Sequence, residues 1–379
     1  MVKLIYLDWQ WNNQIIRNLM DFYLPIAQVQ VSIITILILS FAVGFLSGIF
    51  GIGGGVLMTP ILIFLGIPAT YAVANVANTV LGISVSGATT HWYKKTLDYK
   101  MGFMIVIGGL AGAILGMQIF KYLREIGNIN TIIALLYVYL LVIIGTLIFV
   151  EGVKEVTALK KKIILKKKLH THYWIHGLPF RIRFSKSKVY ESALTPIILG
   201  FIVGLFASIM GIGGAFLMVP AMIYLIGMPT KLIPGTSLFV TIFITGFVVI
   251  AHAVQFKSID LVLVSFLLFG SIIGLHIGLK ISEKLNAPEY KALLAILLIV
   301  IGIFMGVKTF IFNKTNDFLR IIPTPDFNSE LTLLIINLAK NSPVIYASLS
   351  VVFVVFVGFI FSYIRELIHH FRYSKKIKN

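Results

Sequence analysis

Residues 48–60 read GIFGIGGGVLMTP and lie within a long apolar run, where a cluster of glycines weakens a helix. Residues 208–220 read SIMGIGGAFLMVP and repeat this pattern almost letter for letter. The matched glycines, Gly51 and Gly211, are 160 residues apart (211 − 51). The chain is therefore predicted to be built twice around one glycine-rich break, and any fold must accommodate both copies.

The composition of the 379-residue chain is that of a polytopic membrane protein. Hydrophobic residues make up 58% and charged residues 12%, with a mean hydropathy of +0.97, whereas a soluble domain carries about a quarter charged residues. Several apolar runs reach the roughly 20 residues that span a bilayer as a helix. The absence of cysteine excludes disulfides and thiolate chemistry. Residues 1–14 lack the features of a cleavable signal peptide, so we expect none.

The net charge of +18 predicts contact with membrane lipids and no nucleic-acid partner, because the lysines cluster between apolar runs. Residues 151–192 are the most basic stretch, and the positive-inside rule therefore places them in the cytoplasm, together with the basic C-terminal tail. No carboxylate or cysteine completes a metal site with the histidines of this stretch, so no metal and no cofactor are predicted. These histidines are His170, His172 and His176.

The alternation of apolar and polar stretches divides the chain into five parts. They are an interfacial N-terminal segment (1–30), a first transmembrane repeat (31–150), a basic cytoplasmic loop (151–192), a second transmembrane repeat (193–311), and a polar loop with a final transmembrane helix and basic tail (312–379). The predicted full spans are 70–91, 101–121, 130–150, 234–253, 260–280, 291–311 and 344–364.

Each repeat is predicted to begin with a broken helical segment. Residues 31–66 would reach about 54 Å as one helix, which is too long for one span and short for two. Because glycine tolerates backbone conformations that other residues avoid, we expect two shortened helices joined by a tight glycine turn. Residues 193–227 repeat this arrangement. Whether each broken segment is re-entrant or crosses twice is left open by the sequence.

The two repeats are predicted to have opposite orientations in the membrane. Three full spans separate the start of the first repeat from the cytoplasmic loop, so the first repeat begins outside and the second inside. The correspondence extends to His91 with His252 and Asp98 with Asp260. Small-xxx-small patterns that permit close helix contact are also matched; they contain Gly108, Gly112 and Gly116 in one repeat and Gly270, Gly274 and Gly278 in the other. The predicted fold is thus an all-α transmembrane bundle of two inverted repeats plus an extra C-terminal helix.

The glycine breaks are candidate anion sites. Each would present a helix N-terminus, near Val56 and Phe216, whose free N–H groups and partial positive charge attract anions. The alternative is that the glycines only permit tight packing. The candidate substrate-binding residues are Gly51, Gly53, Gly54, Gly55, Asn75, Asn78, Thr79, Gly211, Gly213, Gly214, Lys231, Gly235, Thr236 and Ser237. His91 and His252 are candidates for proton coupling.

With these motifs and the PGTSLF stretch at residues 234–239, the chain resembles the sulfite exporter TauE/SafE family over residues 31–311. The resemblance implies a permease of the bacterial inner membrane that handles, and often exports, small sulfur oxyanions or organosulfonates. A channel for the same anions and a non-transport binding or signalling protein are the alternatives. An enzyme is not predicted, since only Ser84 with His91 suggests a catalytic pair. Transport direction, coupling ion and oligomeric state are left open by the sequence.

Overall fold

A computed structural model describes residues 21–50, 53–127, 129–160, 179–229, 231–282, 287–311 and 330–378. These residues form twelve helices and two antiparallel β-hairpins, which confirms the predicted helical bundle. Gly51, the histidines of residues 170–176 and the first twenty residues of the predicted interfacial segment lie outside the described residues.

The same order of elements occurs twice. The first series consists of β1 (Asp21–Leu24), β2 (Val29–Ser32), α1 (Ile33–Phe50), α2 (Gly55–Phe64), α3 (Ala69–Tyr93), α4 (Tyr99–Glu125) and α5 (Ile129–Lys160). The second consists of β3 (Arg181–Phe184), β4 (Val189–Ser192), α6 (Leu194–Met210), α7 (Ala215–Tyr224), α8 (Ile233–Phe256), α9 (Leu261–Ser282) and α10 (Ala287–Ile311). Helices α11 (Glu330–Asn341) and α12 (Pro343–Lys378) follow.

Five of the described helices are long and apolar enough to cross a membrane, namely α4, α5, α8, α9 and α12. Helix α3 has 25 residues but is too polar to be among them. It is nonetheless buried along almost its whole length, between α8, α12, α9 and α2. Because protein rather than lipid surrounds it, α3 can carry buried polar residues such as Asn75 and Asn78.

The first helix of each half packs along a full-length helix of the other half. Helix α1 lies on α9, where a Cβ added at Gly274 or Gly278 would overlap the carbonyl oxygen of Phe41 or Phe45, respectively. The residue numbers rise together along both helices, so α1 and α9 run in the same direction. Such close approach of two backbones requires small residues, as the repeated glycine patterns predict.

The equivalent contact joins α6 to α4. A Cβ at Gly108 would overlap the carbonyl oxygen of Ile197, and one at Gly112 would overlap that of Phe201. These two helices also run in the same direction. We call the α1–α9 and α4–α6 contacts the two glycine seams.

Helices α3 and α8 occupy equivalent places in the two halves and pack against each other in opposite directions. Leu238, near the start of α8, lies beside Gly87, and Gly235 lies beside His91 at the end of α3. The antiparallel register agrees with two halves of opposite orientation.

The two β-hairpins are a feature that the sequence analysis does not predict. They lie 160 residues apart (181 − 21). The first spans the predicted boundary between the interfacial segment and the first repeat, and the second lies at the end of the predicted basic loop. Their four-residue strands are short, and the turns place Gln28 and Lys188 at a φ of 54° instead of using the usual glycine. The Asn-Gly or Asp-Gly signal of a tight hairpin is therefore missing from the sequence.

The N-cap aspartates Asp98 and Asp260 each hold the hairpin of the opposite half. The Asp98 carboxylate accepts hydrogen bonds from the backbone N–H of Ser187 at 3.1 Å and from its hydroxyl at 2.6 Å. Asp260 accepts from the backbone N–H groups of Ile26 and Ala27, at 3.0 and 3.5 Å. Burial raises the pKa of Asp260, although these backbone hydrogen bonds oppose the effect. Each hairpin is thus fixed to the start of a long helix.

The glycine seams are expected to be intolerant of a single methyl group. Replacing Gly112 with alanine should lower the free energy of unfolding by about 1–3 kcal/mol, because the added Cβ meets backbone that cannot move aside. Gly246 in α8 is the matched control, since nothing lies within 4 Å of a Cβ there and alanine favours a helix. Thermal unfolding of the purified variants measures the difference. Equal unfolding midpoints would contradict close packing at the seam.

Candidate substrate-binding site

Glycines in the left-handed region of backbone space build both breaks. The φ angles are 79° at Gly53 and 69° at Gly54 in the first break, and 73° at Gly213 and 81° at Gly214 in the second. Residues with a Cβ rarely adopt these angles, so the two turns depend on glycine. The sequence therefore repeats glycine at these positions because the local backbone requires it.

A short helix begins directly after each break. Helix α2 begins at Gly55 and α7 at Ala215, each one residue before the predicted position. The N-cap residues Gly54 and Gly214 form no side-chain hydrogen bond to the first turn. The N–H of Gly55 donates to the carbonyl oxygen of Gly53 at 2.8 Å, and the N–H of Leu217 donates to that of Gly214 at 3.1 Å. What each turn offers an anion is therefore the partial positive charge of a helix N-terminus without a side-chain cap.

The two breaks are in contact with each other. A Cβ built at Gly53 would lie 3.0 Å from the Cβ of Ala215, and one built at Gly55 would lie 2.7 Å from the carbonyl oxygen of Ile212. Side chains at Gly53 and Gly55 would therefore push the two turns apart. The start of each short helix thus faces the other half of the molecule.

This contact lies halfway along the central helices. Val80, near the middle of α3, lies beside both Gly55 and Gly213. From α8, the Cγ2 atoms of Thr241 and Thr245 lie 3.0 and 3.2 Å from a Cβ built at Gly213. These threonines are not among the predicted site residues, although they follow Ser237 at helical intervals.

The predicted site residue Asn75 is held by three hydrogen bonds within the protein. Its Nδ2 donates to the carbonyl oxygens of Tyr71 at 2.8 Å and Ser258 at 3.2 Å, while its Oδ1 accepts from the backbone N–H of Asp260 at 2.7 Å. Asn75 therefore ties α3 to the loop that carries the hairpin-binding aspartate.

Thr236 occupies the equivalent place in the second half. Its Oγ1 accepts from the backbone N–H of Asp98 at 3.1 Å and donates to the carbonyl oxygen of Leu232 at 2.8 Å. Both residues thus support the loop before a long helix of the other half. A contact of either residue with substrate stays a prediction.

The remaining predicted polar residues have separate surroundings. Asn78 donates from Nδ2 to the Ser350 hydroxyl of α12, and its buried Oδ1 has no hydrogen-bond partner. The hydroxyls of Thr79 and Ser237 donate to backbone carbonyls of their own helices. Lys231 is exposed in the turn before α8. The structure therefore does not gather these side chains into one cluster.

The two candidate proton-coupling histidines differ in exposure. The Nδ1 of His91 lies 2.9 Å from the Thr96 hydroxyl, and the residue is half-buried. His252 is completely buried against Phe120, and its Nε2 lies 3.1 Å from the carbonyl oxygen of Ser208. Their role in proton coupling stays a prediction.

The serine–histidine pair considered for an enzyme is not formed in the described structure. The buried Ser84 hydroxyl has no hydrogen-bond partner, and the Nδ1 of His91 is paired with Thr96.

A cavity of about 150 Å³ leads from the first break toward the end of α3. One face of α3 lines it, and its inner end is at Gly53, beside Ser47. Arg365 of α12 also lines it. The α3 residues that line the cavity are Ile83, Gly87, Thr90, His91 and Lys94. The spacing of these residues indicates from the sequence that they share one face of a helix. Nothing near Arg365 in the sequence indicates that it lies beside the same cavity.

The five long apolar helices are those of a polytopic membrane protein. The profile of the family described as "Sulfite exporter TauE/SafE" matches residues 36–305 of the chain. The chain therefore belongs to the sulfite exporter TauE/SafE family.

Relatives from bacteria and archaea cover the same region. The chain is 30% identical over 275 residues to the probable membrane transporter protein YjnA of Bacillus subtilis, covering 71% of this chain and 98% of the relative. It is 24% identical to the probable membrane transporter protein YunE of the same organism, covering 72% and 96%. The probable membrane transporter protein MJ0441 of Methanocaldococcus jannaschii is 25% identical, covering 71% and 94%. No solved structure gives a significant match.

The contact between Thr236 and Asp98 is expected to stabilise the fold. Thr236→Val preserves shape but leaves the buried Asp98 N–H without its acceptor, and should lower the free energy of unfolding by about 1–3 kcal/mol. Thr245→Val in the same helix removes only a hydrogen bond to Thr241 and should have a smaller effect. Thermal unfolding measures both. A raised KM for substrate with an unchanged unfolding midpoint in Thr236→Val would instead indicate substrate contact.

Proposed function

We propose that this protein is a secondary transporter, and in its natural setting an exporter, of small sulfur-containing anions such as sulfite or organosulfonates. The observation that carries the proposal is the contact between the two glycine breaks halfway along α3 and α8. Non-helical backbone at this depth is stable only where protein encloses it or where it lines a cavity. Two such turns facing each other are typical of a substrate site between the repeats of a transporter.

The chemistry of the breaks favours a small anion. The helix starts at Gly55 and Ala215 supply partial positive charge, and the glycines allow a ligand to approach the backbone closely. None of the described residues that line the cavity is acidic. The family name supports sulfite or a related oxyanion as substrate, and the probable membrane transporters among the relatives support transport.

The two ends of the central helices differ in a way that supports alternating access. The cavity follows α3 past Gly87 and His91. At the offset that pairs His91 with His252, the residue equivalent to Gly87 is Val248, and both Val248 and His252 are completely buried. Gly87 is buried as well, so the difference lies at the histidines, of which His91 is half-buried beside the cavity. Alternating access would require the end of α8 to open as the end of α3 closes.

Charge distribution supports a location in the bacterial inner membrane with the open end facing the cytoplasm. The loop after α3 carries Lys94 and Lys95, and α12 ends in a basic tail beside the same end of the molecule. By the positive-inside rule, both belong to the cytoplasmic side. The cavity would then accept anions from the cytoplasm, as export requires.

The test of function is anion flux in liposomes that contain the purified protein. Sulfite, sulfate, thiosulfate and short sulfonates would be compared with and without a pH gradient. We expect saturable flux of one of these anions, since a transporter binds its substrate before each cycle. Flux that rises linearly with concentration would indicate a channel, and no flux of any anion would contradict the proposal. Loss of a pH-gradient effect in His91→Gln would support proton coupling.

The breaks themselves are tested by replacing Gly54 or Gly214 with leucine. Both variants should lose flux yet remain in the membrane, because a side chain at a positive φ distorts the turn and fills the site. Gly127→Leu is the control, since Gly127 has a φ of 86° with nothing within 4 Å of a Cβ and lies between α4 and α5, away from the breaks. Normal flux in both break variants would remove the glycine site from the mechanism.

A further inference from the structure

We propose that Arg365 and Lys94, with Thr90 holding the arginine in place, form an oxyanion-binding vestibule at the mouth of the cavity, through which substrate reaches the breaks. The C-terminal helix α12 supplies the arginine of this site. The inference rests on the proposed anion transport and adds a recognition step before the glycine breaks.

The vestibule and the first break are two ends of one cavity. The lining extends along α3 from Ile83, near Gly53, to Lys94 at the C-cap of the helix. At 1.5 Å per residue, these eleven steps cover about 16 Å. An anion held at Lys94 would therefore have a continuous path, past Thr90, to the N-terminus of α2.

Arg365 is directed into the cavity. Its side chain is half-buried, and its Nη1 donates to the Thr90 hydroxyl at 3.0 Å. An arginine that serves only as an interfacial positive charge would extend its guanidinium into water. The hydrogen bond to Thr90 instead holds the guanidinium beside the cavity. It uses one N–H group of a guanidinium that has five.

The electrostatics of the mouth favour an anion. Two permanent positive charges, on Arg365 and Lys94, stand among described lining residues that include no carboxylate. Clefts lined by one sign of charge concentrate ions of the opposite sign. The charge of this mouth therefore matches the substrate class that the glycine breaks suggest.

The donors select for oxygen atoms as well as for charge. A guanidinium offers several N–H groups in a planar fork that fits the paired oxygens of an oxyanion, and an ammonium adds an adaptable point charge. At the inner end of the cavity, the buried Ser47 hydroxyl has no hydrogen-bond partner. Sulfite and sulfonates have paired oxygen atoms that match two parallel N–H groups, whereas a halide offers a single acceptor atom.

The packing of α12 explains how Arg365 is held in place. Gly358 allows α12 to approach the carbonyl oxygen of Gly82, and the Ser350 hydroxyl accepts from Asn78. Helix α12 thus lies against the central helix α3 on the way to the vestibule. Because the family match covers residues 36–305, this helix adds to the site from outside the shared region.

The experiment compares Arg365→Gln, Arg365→Lys and the control Lys95→Gln in nanodiscs and liposomes of phosphatidylcholine. Lys95 is an exposed neighbour of Lys94 that does not line the cavity, so its loss changes the charge equally. We expect Arg365→Gln to weaken sulfite binding and raise the KM for sulfite flux about tenfold or more, because a charged hydrogen bond is lost. Arg365→Lys should show a smaller effect and Lys95→Gln none.

The outcomes separate this inference from the proposed function. Saturable sulfite flux with the same KM in wild type and Arg365→Gln would overturn the vestibule and leave transport standing. Arg365-dependent sulfite binding without flux in the wild type would overturn transport and leave the vestibule standing. A third arm adds phosphatidylglycerol. If Arg365→Gln changes only the retention of this lipid and not sulfite binding, the site holds a lipid phosphate and the proposal is wrong.

Discussion

The fold depends on one constraint, which is that backbone without helical hydrogen bonds must be enclosed by protein when it lies inside a membrane. Both glycine breaks meet this requirement by packing against each other and against Val80 of the central helix. The helices that lead into the breaks, α1 and α6, are held by the two glycine seams on α9 and α4. Glycine therefore serves two purposes, positive φ angles in the breaks and absence of a Cβ in the seams.

A second consequence of enclosure is the polar character of the central helix. Helix α3 is covered by other helices along almost its whole length, and Asn75 in α3 and its counterpart Thr236 in α8 are both completely buried. Their polar groups therefore find hydrogen-bond partners within the protein instead of facing lipid. They use these bonds to fix the loops of Asp260 and Asp98, which in turn hold the β-hairpins. In each of these two series of hydrogen bonds, the central helix and the hairpin belong to one half and the aspartate loop between them belongs to the other.

On this nearly symmetric frame, the two equivalent histidines differ in exposure. His91 is half-buried beside the cavity at the end of α3, while His252 is completely buried in α8. Helix α12 increases the difference, because the described residues of the first half contain no counterpart to it and it brings Arg365 beside the cavity at the end of α3. Both halves contain a glycine break, whereas the vestibule with Arg365 lies at the α3 end of the cavity.

Much of the fold was predictable from the sequence, because the signals are local. Apolar runs identify the long helices to within a few residues, as for α8 and α9, and the repeated glycines locate the starts of α2 and α7 to within one residue. The hairpins were missed, because their turns place Gln28 and Lys188 where glycine is usual. A short strand without such a signal depends on its tertiary contacts, here with an aspartate more than 80 residues away in the chain.

The sequence by itself thus determined the membrane class, the duplication, the two breaks and the family resemblance, since composition, periodicity and repetition are properties of the chain. Only the tertiary structure decided which groups meet. The backbone N–H of Asp260 donates to the Asn75 side chain, 185 residues away, and Arg365 donates to the Thr90 hydroxyl across 275 residues. Contacts between distant segments depend on how whole helices pack, and no local pattern in the sequence records that choice.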